Sequence, residues 1–149
     1  MRAWQFVGVG QPLTLREVPE PVPGPDDVII DNKAAGLCHT DVAILEGPLA
    51  GLVPSVPQTL GHEFAGVVTA IGENVTTVQV GDRVAGGMAI DVPGVGSDGG
   101  YAPKVRIPER LCVPIPDGVS FEYAAAGSDA GATAYNGVHN AAQVQPGER

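Results

Sequence analysis

The chain has 149 residues, the size of one domain, and its 44% apolar content excludes a disordered chain. Its formal charge is −9, from 17 acidic against 8 basic residues, so it would repel a phosphate backbone, which argues against nucleic-acid binding. The N-terminus MRAWQFVGVG has no long apolar run and reads as neither signal peptide nor membrane span. No basic amphipathic segment suggests membrane attachment, and two cysteines make no disulfide framework, which points to a reducing cytoplasm.

With 21 glycines and 14 prolines, many short strands joined by tight turns are favoured over a helix bundle. Residues 2–7 and 13–18 read as the first two strands. The proline-rich PEPVPGPDD that follows cannot be regular structure. Residues 28–35 read as a strand leading into GLCHTD at 36–41, a polar turn at a strand end. Residues 47–57 read as loop, 63–71 as the clearest strand, and 83–85 as a short strand after a Gly-Asp turn. A glycine-rich loop spans 86–100, and short strands are expected at 105–107 and 111–115. From Ser120 the chain becomes alanine-rich and free of proline. Ser120 is a candidate N-cap, with Glu122 in the first turn to suit the helix dipole. Gly127 and Gly131 are expected to break this stretch into two helices. The fold class expected is mainly β with C-terminal helices, a small barrel or sandwich.

Four positions in GLCHTD carry chemistry. Cys38 has two readings: a small buried apolar residue, or a thiolate in the polar turn that His39, Thr40 and Asp41 define. His62 and Glu63 stand together at the start of a strand, just after Gly61. Asp129 sits among alanines and glycines as either a helix cap or a metal ligand. Thiolate, imidazole and carboxylate make a competent zinc site, and three protein ligands leave a fourth position open, as catalytic sites do. The positions are far apart, so their spacing lends no support by itself.

These residues resemble the zinc-dependent alcohol dehydrogenases of the medium-chain dehydrogenase/reductase family. The resemblance rests on GLCHTD, on GHEFAGVVTAIGENV at 61–75, on VGDRV at 80–84, on DGGYA at 98–102 and on DAGATAY at 129–135. It implies a GroES-like β-barrel over residues 1–149, with about 130–149 leading towards a Rossmann domain that this sequence does not contain. It places Cys38 and His62 on two catalytic zinc ligands and Asp129 where many members have a third ligand cysteine. Glu63 falls on a carboxylate that can approach the metal, and Asp41 on the carboxylate that orients the ligand histidine. Thr40 matches the hydroxyl that accepts the substrate's proton. His39 lies where the family often has a basic residue for the cofactor pyrophosphate. Ala43 stands where some members keep a histidine to end the proton relay, which leaves that step to water.

The resemblance further implies one catalytic zinc, NAD(P) as hydride acceptor, and a small-molecule alcohol or carbonyl substrate of an alcohol or polyol dehydrogenase. A homo-oligomer or a separate Rossmann-containing partner would complete it. The interval between VGDRV and DGGYA has no cysteine, so a second, structural zinc is not expected. Cys112, in LCVPI, is expected in the core. Pocket walls are expected from residues 45–57 and from the region after Arg83, Met88 included. The alternative is a stand-alone, non-catalytic GroES-like zinc-binding or interaction module that would expose apolar residues between 123 and 142. A zinc-free quinone or enoyl reductase is the third reading, against which Cys38 and His62 together argue.

Overall fold

The computed structural model describes residues 1–148. Eight strands form two antiparallel sheets. Strands β1 (Arg2–Phe6), β2 (Thr14–Glu17) and β4 (Gln58–Thr59) form the smaller, in the order β2-β1-β4. The larger is ordered β7-β3-β5-β6-β8, from β3 (Asp27–Ala35), β5 (Phe64–Ile71), β6 (Arg83–Gly86), β7 (Lys104–Pro108) and β8 (Cys112–Pro114). Neither sheet closes on itself. The expected class holds: mainly β, with helical structure gathered at the C-terminal end.

The strands form where β-branched residues run. Val28, Ile29 and Ile30 of β3 are all buried, because both faces of this central strand are covered. Strand β5 alternates as a pleat requires. Phe64 and Val68 enter the main core with Val28, Ile30, Val84 and Ile107. Ala65 faces the other way and, with Ala85, meets Ala125 of helix α2 (Phe121–Ala126). Small side chains on that face let the helix lie close on β5, β3 and β6. A third cluster, of Phe6, Ile44 and Leu60, fastens helix α1 (His39–Glu46) to the smaller sheet.

Two local expectations are corrected. GLCHTD is not a free polar turn but the start of α1, with Cys38 at its N-cap. The signal was present: Asp41 at the third helical position accepts a hydrogen bond from the Cys38 backbone N–H at 3.1 Å, which satisfies a donor that the helix leaves unpaired. At the other end, Gly127 and Gly131 do not break the helix. The backbone stays helical from Phe121 to Ala141 and widens into π turns at Gly127–Gly131 and Asn136–Ala141, with α3 (Ala132–Tyr135) between them. Poor helix formers at both ends of the first π turn weaken the α pattern without ending it. The Ser120 cap forms as expected, its Oγ accepting from the Tyr123 N–H at 3.3 Å. Tyr123, Tyr135 and Val138 of this stretch are exposed. No helix among the described residues is long and apolar enough to cross a membrane.

Candidate metal centre

Four of the described ionisable side chains are buried, and all four lie together: Asp41, His62, Glu63 and Asp129. Buried charge is costly unless it is paired or binds a metal, so this clustering needs a chemical reason. Three carboxylates around one imidazole also leave the cluster short of positive charge.

Each member arrives from a different part of the fold. Cys38 is set by the start of α1, which Ile44 anchors in its apolar cluster. His62 and Glu63 lie between β4 and β5, one glycine after the buried Leu60. Asp129 sits in the middle of the first π turn, where the widened backbone brings its carboxylate inward. It is therefore not an N-cap. Its Oδ1 accepts from the Thr133 hydroxyl one turn on, at 3.1 Å.

The three expected ligands meet. Asp129 Oδ2 lies 3.1 Å from His62 Nε2 and 3.5 Å from Cys38 Sγ. Sulfur, nitrogen and oxygen all fall within 4.8 Å of one another. A tetrahedral zinc with bonds of 2.0–2.3 Å separates its ligand atoms by about 3.3–3.8 Å. The donor set therefore fits zinc in chemistry and, within a few tenths of an ångström for the measured pairs, in spacing. The far side of the imidazole agrees. His62 Nδ1 is buried without a hydrogen-bond partner, and Asp41 Oδ1 faces it at 3.6 Å, an ion-pair separation. A carboxylate in that position fixes a ligand histidine's tautomer and leaves Nε2 free to bind.

The electrostatics follow from this packing. Burial works against a charged His62, but the Asp41 carboxylate and Cys38 outweigh it and lift the imidazole to about 9. Burial would likewise raise Asp41. His62, the Tyr101 hydroxyl and the Cys38 N–H overcome that and hold the carboxyl below its ordinary value. Tyr101 donates to Asp41 Oδ2 at 2.9 Å, and burial together with that carboxylate keeps the phenol protonated.

Other expected residues take more peripheral places. Glu63 Oε1 accepts the Ala130 N–H at 3.1 Å and so holds the π turn that carries Asp129. Its approach depends on Gly36, where an added Cβ would lie 2.0 Å from Glu63 Oε2. Thr40 Oγ1 is 3.6 Å from Cys38 Sγ, within the cluster. His39 is exposed at the first turn of α1. Cys112 lies outside the cluster, partly buried against the main core as expected. Burial, with the nearby Glu109 charge, pushes its thiol up to about 12. At pH 8 its thiolate is scarce, and we expect iodoacetamide to modify it on the order of a hundredfold more slowly than free cysteine. Peptide mapping after timed alkylation measures this, and equal rates would refute it.

A cavity of about 430 Å³ is lined by Met88, Val113, Ile115 and Tyr123 and by Gly127 and Ser128, which precede Asp129 in the chain; no cluster residue lines it. Met88 is among its walls. Residues 45–57 do not line it. Pro54 and Ser55 belong to a second cavity of about 470 Å³, which likewise contains no cluster residue. DGGYA enters the sequence expectations only as part of the family resemblance, with no role for the Tyr101 side chain. An aromatic hydroxyl in a glycine-flanked turn was the available signal.

Comparison with known proteins places these observations. The family model for the alcohol dehydrogenase GroES-like domain matches residues 24–117. NADP-dependent alcohol dehydrogenase C of Mycobacterium bovis is 33% identical over 162 residues, covering 90% of this chain and 46% of that protein. Among solved structures, a quinone oxidoreductase of Pseudomonas syringae pv. tomato superposes with a TM-score of 0.86 at 38% identity, covering 99% of this chain and 43% of that one. The alcohol dehydrogenase of Aeropyrum pernix gives 0.83 at 31%, covering 99% and 50%. The chain thus spans about half the length of the relatives it matches.

Proposed function

The chain belongs to the alcohol dehydrogenase GroES-like domain family, and from this premise we propose that it is the catalytic portion of a zinc-dependent alcohol or polyol dehydrogenase, interconverting alcohols with aldehydes or ketones. The observation that carries this reading is the meeting of Cys38, His62 and Asp129 donor atoms within 4.8 Å, from positions up to 91 residues apart.

In this reading Cys38, His62 and Asp129 hold one zinc. When bound, it supplies Lewis-acid polarisation of the alcohol or carbonyl oxygen. Asp41 keeps His62 oriented through Nδ1. Thr40, beside Cys38, takes the substrate's hydroxyl proton and passes it outward, by way of water because position 43 is alanine. Glu63 fixes the turn carrying Asp129 and is the alternate ligand of this reading. Exposed His39 offers a cation to the cofactor's pyrophosphate. NAD(P), as hydride acceptor, would be held by a Rossmann domain towards which residues 130–149 lead, within a longer chain or on a partner. Residues 1–149 are then one catalytic domain, which a homo-oligomer or that partner completes. Its setting is the cytoplasm, where Cys38 stays reduced.

Native mass spectrometry of the purified chain tests the metal. One zinc per chain is expected, and none after expression in zinc would overturn the reading. Two other readings rest on specific observations. The likeness to a quinone oxidoreductase favours a zinc-free reductase, which the same measurement separates. Exposed Tyr123 and Tyr135 favour a non-catalytic zinc-binding or interaction module. NAD(P)-linked alcohol oxidation by the chain joined to a Rossmann domain would exclude that module.

A further inference from the structure

We infer that Tyr101 is a positioning residue for the metal centre: its hydroxyl pins one oxygen of Asp41, and this aims the other oxygen at His62. The inference rests on the cluster being a metal site. Asp41 Oδ2 receives the Tyr101 hydroxyl at 2.9 Å and the Cys38 N–H at 3.1 Å. That leaves Oδ1 for the Gly61 N–H at 3.3 Å and for His62 Nδ1 at 3.6 Å. A carboxylate rotates freely about its last bond unless both oxygens are committed. Tyr101 supplies the only side-chain donor within hydrogen-bond distance of Asp41 among the described residues.

The phenol is itself held rigidly against the ligand segment. The Tyr101 N–H donates to the Leu60 carbonyl at 3.0 Å, the Gly100 N–H to the Gly61 carbonyl at 2.6 Å, and the Trp4 N–H to the Tyr101 carbonyl at 2.9 Å. The Asn32 amide adds a bond to the Gly100 carbonyl, also at 2.6 Å. The ring lies against Gly61, whose φ is +90°; a Cβ there would stand 2.5 Å from the ring. DGGYA is thus a clamp on the residues just before His62, and its hydroxyl reaches past them to Asp41. The Tyr101 hydroxyl makes no hydrogen bond to Cys38, His62 or Asp129, so its influence on the metal passes through Asp41.

The test is Tyr101→Phe, which keeps the ring and removes the hydroxyl. Cobalt(II) is titrated into the metal-free wild-type chain and into the variant, and the visible absorption bands are recorded. Cobalt affinity should fall about tenfold in the variant, the lower end of what outer partners of a ligand histidine contribute. The cobalt bands should also shift, because they report ligand geometry, which a loss of stability alone does not alter. Identical bands with affinities within twofold would overturn the inference, whatever happens to the melting temperature. Should the variant not fold, 3-fluorotyrosine placed at position 101 of the otherwise native chain gives the second reading. Its ¹⁹F resonance should move on zinc loading, and an unmoved resonance would overturn the inference. If the wild-type chain takes up no cobalt or zinc, the metal reading fails first and this inference falls with it, a result distinct from equal binding by both chains.

Discussion

Asp129→Ala is expected to lower zinc affinity by roughly a hundredfold, and native mass spectrometry should show the zinc peak lost at micromolar metal. Structural zinc sites bind with about 10–16 kcal/mol spread over four ligands, or about 3 kcal/mol each, and 1.4 kcal/mol is tenfold. The carboxylate lies 3.1 Å from His62 Nε2 and 3.5 Å from Cys38 Sγ, so its loss leaves two donors where three stood. Asp129→Cys separates ligation from packing. A thiolate is a softer ligand for zinc, and this variant should retain one metal per chain. Full zinc retention by Asp129→Ala would show that Asp129 is not a ligand and would move attention to Glu63, buried close by.

Asp41→Ala should cost the metal-free chain about 3–5 kcal/mol, the usual penalty for breaking a buried charge pair from one side. That corresponds to roughly 10 °C in melting temperature at this size. Asp41 is 1% exposed, accepts from Cys38, Gly61 and Tyr101, and faces His62. Removing it strands all four partners at once. The effect also has a pH signature. The carboxyl is held below its ordinary value of 3.8, so its contribution is fully present above that value and is lost as pH falls through the lower, folded value. The stability gap between wild type and Asp41→Asn should therefore narrow in acid, and it should narrow again as pH rises from 6.5 towards 9, where the His62 charge that Asp41 stabilises is lost. Urea unfolding at several pH values measures it. A gap that widens in acid, or an Asp41→Ala cost below 1 kcal/mol, would contradict this account.

Both predictions depend on how the ligands are hung. Cys38 is tied to the Phe6–Ile44–Leu60 cluster through α1, His62 follows Leu60 of that same cluster, and Asp129 hangs from a helix seated on Ala65 and Ala85. Two of the donors thus share one apolar support, and the third comes from the helical stretch seated on the larger sheet. Metal bound among them would join these parts, so zinc loading and folding stability should be coupled.

Local chemistry marked most of the elements in the one-dimensional chain. Runs of valine and isoleucine marked β3 and β5. Proline and glycine marked the connections, and Ser120 marked the start of the C-terminal helical stretch. The GHE stretch and GLCHTD marked Cys38, His62, Glu63 and Asp41 as chemistry because polar, metal-binding side chains are poor core material. Other features needed the third dimension. Whether GLCHTD was a turn or a helix start depended on Ile44 finding Phe6 and Leu60. Whether Asp129 was a cap or a ligand depended on a π turn that points it at His62, and local propensity does not encode where a widened turn aims a carboxylate. The part of Tyr101 was hidden for the same reason. Its partner lies 60 residues earlier, and only the packing of the DGGYA turn on the segment before His62 brings the hydroxyl to Asp41. Residue type and local pattern determined which groups were available for chemistry; which of them meet was decided by long-range packing, because donors scattered along the chain converge only after the apolar clusters have set the elements that carry them.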